Sequence, residues 1–237
     1  MRRTAPQALL ATAVAVALLA GCAQDGSPET TSTSSATAPA GATGSASPPT
    51  GSPSPDATQV IRSSALLQPE DLGGATLGPM PQGDSEHLRP LRPCGERYPS
   101  DETRTAAVAM RAHVSPGENE TPQVVLEYVG LHPGHGAAAF DEIAAAVRRC
   151  PGSLESGEHR WEVAGTDVAG DESLLVRVSA RFRYGDEESV TTTPAVLARV
   201  GDHIMVLADL GWENASGTES YVRELAPKAV ERLRTGE

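Results

Sequence analysis

Three arginines carry the most suggestive spacing in this chain. Arg177, Arg181 and Arg183 fall at every second position, or multiples of it, within Leu174–Tyr184, where Leu174, Val176, Val178, Ala180, Phe182 and Tyr184 alternate with them. A strand would therefore place all three guanidinium groups on one face. Guanidinium forks suit phosphate and carboxylate, so the trio is a candidate anion-binding groove. The same face also admits a structural role, in which Glu127 or other carboxylates on adjacent strands pair with them. His132-Pro-Gly-His135 could offer two imidazoles to a metal. No acidic or cysteine ligand accompanies them locally, and Pro-Gly argues for a solvated turn at a helix start. Asp167, Asp171 and Glu172 form a loop cluster that could meet calcium, but they lack the alternating oxygen-ligand spacing of an EF-hand loop. Glu187 and Glu188 are turn neighbours, as solvated charges usually are. The folded part holds no Gly-x-Ser-x-Gly elbow, no His-Glu-x-x-His, no phosphate-cradling Gly-x-x-x-x-Gly-Lys and no dinucleotide fingerprint. The residues thus assign no catalytic, cofactor or metal set, and the chain reads as non-catalytic.

Acidic residues outnumber basic ones by 31 to 19 in 237 residues, for a formal charge of −12. That balance opposes non-specific contact with nucleic acid or anionic lipid. Aromatic residues are only 3%, so a core must be built from Val, Leu, Ile and Ala. Three regions differ in character. Residues 1–21 open with Arg2 and Arg3 and continue into an apolar run over 8–20. Such a run is shorter than the roughly 20 residues a membrane-spanning helix needs, and it fits the hydrophobic part of a secretory signal. The run ends Leu19-Ala20-Gly21-Cys22. This resembles the lipobox of bacterial lipoproteins. The resemblance implies cleavage after Gly21 and a diacylglycerol thioether on the Cys22 sulfur, and hence an anchor on the outer side of the cell membrane. Two acyl chains can hold a soluble domain at a bilayer, each buried CH₂ contributing about 0.8 kcal/mol. The alternative is plain secretion with Cys22 incidental.

Residues 23–57 contain 31 Ser, Thr, Pro, Ala or Gly out of 35. A segment with no apolar period and no large side chain cannot offset its ordering entropy. Residues 22–57 are therefore expected to be a disordered linker, with an r.m.s. reach of about 30–35 Å. From residue 58 to 237 the composition becomes that of a folded domain. Its two cysteines, Cys94 and Cys150, sit in an exported domain, and the even count favours one disulfide between them. Closing that loop is worth about 4 kcal/mol in the chain-entropy model. Two free buried thiols are the alternative.

The elements that must carry these residues follow from period. A short helical turn covers 65–72 and stops at Gly73-Gly74. A Pro- and Gly-rich loop runs on to Pro99. Ala106 to Val114 alternates as a strand with one buried face, and Val124, Leu126 and Tyr128 continue the pattern after a turn. Over 133–149, Phe140, Ile143, Ala144 and Val147 share one helical face, and Cys150-Pro-Gly ends the helix. Further strands are expected at 161–163, 172–184, 191–200 and 204–210, the last two joined by a Gly201-Asp202 hairpin. A closing helix runs from about 217 to 234. Ser216-Gly-Thr-Glu219 matches a capping box, and Pro227 should kink or divide it. Short connections make the pairing antiparallel. The expected fold is α+β: one antiparallel sheet with helices packed on one face.

The opening Leu66-Leu67…Asp71-Leu72-Gly73, the Phe140…Cys150 helix, Gly165-Thr166, the Arg199-to-Val206 strand-turn-strand and the final helix together form a layout. This layout resembles the extracellular sensor domain of the PknH-type receptor kinases and of related actinobacterial lipoproteins. The resemblance covers about 62–235 and implies an α+β sheet with a cleft for an extracellular ligand. Members typically carry two disulfides, and this chain has cysteines for one. No family binding residue carries over. The expectation is a lipid-anchored binding or sensor module whose partner is a small molecule, a cell-wall component or an envelope protein. An exported enzyme with an unrecognised site and a structural envelope protein are the rival readings.

Overall fold

The computed structural model describes residues 60–79, 91–93, 95, 97–115, 121–155 and 157–236, all within the compact unit Ser54–Glu237. The leader, Cys22, the whole 22–57 linker and Cys94 lie outside the described residues. Seven strands form one antiparallel sheet: β1 (Thr76–Pro79), β2 (Ala106–Val114), β3 (Gln123–Leu131), β4 (His159–Thr166), β5 (Glu172–Tyr184), β6 (Glu187–Val200) and β7 (His203–Asp209). Their order is β1-β2-β3-β7-β6-β5-β4. After β3, helix α1 (Gly136–Arg149) carries the chain to the far edge. Three hairpins then bring it back, until β7 closes onto β3. Helix α2 (Glu219–Thr235) completes the unit. The α+β class and the single antiparallel sheet are as the periodicity implies.

The helices do not share a face. Phe140, Ile143, Ala144 and Val147 of α1 pack with Leu174, Val176, Leu197, Ile204 and Val206. Val222, Leu225, Ala226, Ala229 and Leu233 of α2 pack with Leu175, Val196, Ala198, Met205 and Leu207. Successive side chains of a strand point to opposite faces, so the two helices sandwich the sheet. The expectation of helices on one face is corrected, for a reason visible in β7. All seven of its residues are buried, five of them the unbroken apolar run Ile204–Ala208, and such a run marks a strand covered on both sides.

Four other expectations also change. Pro227 lies inside α2 without dividing it. It stands among exposed residues, where water can satisfy the carbonyl its missing N–H leaves free, and the buried stripe on either side holds both halves to one sheet. The capping box does not form. Thr218 is the N-cap residue without a side-chain cap. The Thr218 N–H donates instead to the buried Asp209 carboxylate at 2.7 Å, while the Ser216 hydroxyl accepts from the Thr192 N–H at 3.0 Å. Strand β1, which pairs with β2 over Thr76–Pro79, falls inside the segment expected to be loop. The turn expected at 65–72 is two 3-10 turns, Ser63–Ala65 and Pro69–Leu72, ended by Gly73 at φ 69°.

These turns form a strap across the α2 face. Ala65, Leu66, Leu67 and Leu72 fill the core there, and Arg232 of α2 bonds Asp71 at 2.8 Å and Glu70 at 2.6 Å. Beneath the strap lies Glu127, 0% exposed. Its Oε2 accepts from the Leu67 N–H at 2.8 Å, and its Oε1 has no partner. Burial pushes the carboxyl up to about 8, against the Leu67 hydrogen bond and helped by the negative charge of Asp71. Glu127 is thus a core residue of the strap and not a partner of the arginine trio.

Candidate functional site

The α1 face is only half covered. A helix of 14 residues is about 21 Å long at 1.5 Å per residue. The strands β5 and β6 contain 13 and 14 residues, and at about 3.4 Å each they run well past it. Beyond the helix, the face is a cleft of about 360 Å³. Leu126 and Tyr128 of β3, Val206, Ala208 and Leu210 at β7, Ala195, Thr193 and Thr191 of β6, Val178 and Ala180 of β5, His159 of β4 and Leu91 line it. Register explains why these side chains meet: Leu126 stands opposite Ala208, Ala208 opposite Ala195, Thr193 opposite Val178, and Ala180 opposite His159. They share one face across five adjacent strands.

The inner wall of the cleft is rigid. Tyr128, 2% exposed, accepts a hydrogen bond from Arg104 Nη1 at 2.9 Å. Burial pushes its phenol up, against the nearby Arg104 charge. The ring can lie along β3 because residue 130 is glycine: a Cβ there would stand 2.8 Å from the Tyr128 hydroxyl. Arg92 stacks over Tyr98, 4.9 Å from the ring centroid, and bonds Asp101 at 2.6 Å. Burial raises the Asp101 carboxyl, but the Arg92 and Tyr98 hydrogen bonds outweigh it and hold the group below the usual range. The cleft floor is apolar, with hydroxyls confined to the β6 stretch.

The arginine trio lies on the opposite, α2 face. Arg177 bridges Glu219 at 2.7 Å and Glu162 at 3.4 Å. Arg181 and Arg183 reach Glu188 at 3.1 and 2.6 Å. The forks expected to hold an external anion are engaged by this chain's own carboxylates, so the pairing alternative describes them, with partners other than Glu127. His132 is buried, its Nδ1 3.2 Å from the Thr103 hydroxyl, and burial lowers its pKa. His135 starts α1, and its N–H donates to the His132 carbonyl, closing the turn. Asp171 accepts from the Gly201 N–H at 2.8 Å, which with Arg199 and Arg234 holds it below the usual carboxylate range. Glu172 pairs with Arg199. Among the described residues no group of three or more His, Cys, Asp or Glu could hold a metal ion, and no helix is long and apolar enough to cross a membrane. Cys150 is disulfide-bonded; the expected partner, Cys94, lies outside the described residues.

Other grooves lie among the described residues. One of about 840 Å³ runs between the strap's second turn and α2, past Asp71, Tyr221, Glu224 and Lys228. Its charges are largely neutralised in place, Asp71 by Arg232 and Glu224 by Lys228. Another, of about 510 Å³, lies where residues 60–62 pass Leu233 and Gly236. That groove is also largely apolar, with Ile61, Ala65, Leu131 and Leu233 beside Asp202 and His203. Sequence reasoning missed the residues of the α1-face cleft. The available signal was length: strands of 13 and 14 residues beside a helix of 14 must leave a face uncovered. The chain matches no family model, no curated protein and no solved structure.

Proposed function

We propose that this chain is a lipid-anchored, extracytoplasmic lipoprotein of the cell membrane, whose folded domain is a non-catalytic ligand-binding or sensor-type module. The observation that carries the binding reading is the α1-face cleft: about 360 Å³ of apolar surface with a few hydroxyls at one side. Ligand sites are typically concave and largely apolar, with a small number of placed polar groups and volumes of about 300–1,000 Å³. The anchor reading rests on Leu19-Ala20-Gly21-Cys22 after a short apolar run. The resemblance to PknH-type sensor domains supports both parts. A structural role at the envelope is the second reading, favoured by the exposed hairpin of β5 and β6.

Two measurements test the proposal. Cys22→Ser should move the protein from the membrane fraction to the soluble extracytoplasmic fraction. Retention in the membrane would show that acylation is not the anchor. A mixed small-molecule set screened by thermal shift should give hits that Ala208→Trp abolishes, because Ala208 lies at the cleft's centre. A set with no hit, or hits indifferent to a folded Ala208→Trp, would leave the cleft without a binding role.

A further inference from the structure

We infer that the strap over residues 63–72 is a flap latched by one proton: with Glu127 protonated it lies shut on β3, and loss of that proton lets it swing out about Gly73-Gly74 while the sheet stays folded. Little ties the strap down. Its backbone hydrogen bonds close its own turns, from Ala65 to Arg62, Leu66 to Ser63, Asp71 to Gln68 and Gly74 to Pro69. The Gln68 side-chain amide donates to the Ser63 and Leu66 carbonyls. Among the described residues one backbone bond leaves the strap, from the Leu67 N–H to Glu127 Oε2 at 2.8 Å. The other ties are the Arg232 ion pairs to Glu70 and Asp71 and the packing of Ala65, Leu66, Leu67 and Leu72. The strap belongs to no strand ladder, so it can part from the sheet without breaking one. Gly73 and Gly74, at φ 69° and 88°, form the hinge: a Cβ on either would meet nothing within 4 Å. Beyond them the chain is held by the pairing of β1 from Thr76.

The one bond that leaves the strap ends on a group whose charge the closed fold cannot accommodate. Glu127 is 0% exposed, and its Oε1 has no hydrogen-bond partner. Protonated, the carboxyl leaves one O–H unbonded. Ionised, it leaves a buried charge facing a single N–H, which costs far more. No free counter-charge meets it among the described residues. Its register partners, Met110 of β2 and Leu207 of β7, are apolar. From the strap, Asp71 adds a like charge, Glu70 lies beside it, and Arg62 is exposed. On α2, Arg232 is engaged by both strap acids and Lys228 by Glu224. On β7, the Asp209 carboxylate accepts from the Gly211 and Thr218 N–H groups, and His203 stands four residues from Leu207. Moving the strap aside brings water to both Glu127 oxygens at the loss of one backbone bond.

The test is native-state amide exchange on the full chain with Cys22→Ser, read as protection factors at several pH values and low urea concentrations. Opening that releases a proton grows about tenfold per pH unit across the interval from 4.5 to about 8 that separates the exposed from the buried carboxyl. Protection of the Ala65, Leu66, Leu67 and Asp71 amides should fall by that factor. These amides should also be protected about a hundredfold less than those of β7 and respond only weakly to urea, because the strap opens locally. Global unfolding exposes Glu127 too, so the β7 amides should share the pH slope but carry the full urea dependence. Strap amides with the protection and urea dependence of β7 would overturn the flap. In Glu127→Gln, which keeps an acceptor for Leu67, strap protection should no longer change with pH, and a retained slope would overturn the latch. Arg232→Ala, which leaves Glu127 in place, should lower strap protection at every pH and keep the slope. Loss of the slope in that variant would assign the latch to the ion pairs and overturn the role of Glu127.

Discussion

The two faces of the sheet are finished differently. The α2 face is covered over its inner strands by α2 and by the strap, where it encloses two carboxylates, Glu127 and Asp209, each 0% exposed, while Arg181, Arg183 and Val190 at its β5–β6 end are exposed. The α1 face is covered in part by α1, and beyond it the described lining is largely apolar and holds no Asp, Glu, Lys or Arg. The α2 face buries costly groups to fix where the chain enters and where its last helix begins. Of the apolar residues lining the α1-face cleft, Tyr128, Ala195, Val206 and Ala208 are buried, and Leu210 is exposed. The difference separates a surface organised for stability from one organised for contact.

Substitutions can break or sharpen that contrast. The largest effect is expected from removing core volume on the closed face. Leu225→Ala should destabilise by about 2–5 kcal/mol, whereas Val178→Ala in the open cleft should cost less than about 1.5 kcal/mol. Urea unfolding midpoints with matched m-values check this, and equal losses would remove the distinction between the faces.

Glu127→Gln follows. The folded-state pKa of Glu127 is raised from 4.5 to about 8, so the folded protein holds this proton more tightly than the unfolded chain does. Its favourable contribution is complete below pH 4.5 and is lost as pH rises toward 8. Glutamine keeps an acceptor for the Leu67 N–H and removes the titration. The variant should match the parent near pH 4.5 and exceed it at pH 7 by an amount on the order of 3 kcal/mol. A stability difference that does not grow with pH would show that Glu127 is ionised in the fold.

Gly130→Ala should cost about 1–3 kcal/mol, an overpacking penalty, because its Cβ would stand 2.8 Å from the Tyr128 hydroxyl. It should also weaken any cleft ligand by displacing the Tyr128 ring, with stability and affinity measured on one preparation. The smallest effects belong to exposed ion pairs. Arg232→Ala should lower the unfolding midpoint slightly at neutral pH by releasing the strap. That loss should fade in acid, since burial raises the Asp71 carboxyl but the Arg232 hydrogen bond outweighs it and helps to hold the group below the usual carboxylate range. Arg181→Ala should leave the midpoint unchanged, as exposed pairs contribute little.

Much of this architecture is legible from local pattern. The alternation through 172–184 and the helical stripe Phe140–Val147 need only the two periods of regular structure, and both elements lie where those periods put them. What resists reading depends on partners distant in sequence. That α1 and α2 take opposite faces follows from which side of β7 each meets, and the β7 run is apolar on both sides. Glu127 looks like a surface residue of β3 until the strap, 60 residues earlier, is laid over it. Strand β1, with Gly78 and Pro79 inside it, carries little strand propensity and exists because β2 offers an edge. The cleft was hardest to see. It is defined by where a helix stops, and no single residue type marks that boundary.

The strap and the end of α2 also meet: a Cβ at Gly236 would stand 2.7 Å from the Ala65 Cα. The folded unit is therefore almost a closed circuit, with its first and last described residues near one corner. A short bridge from 236 to 60, with a new opening at the projecting Gly185-Asp186 turn, should yield a permuted chain with the same sheet order.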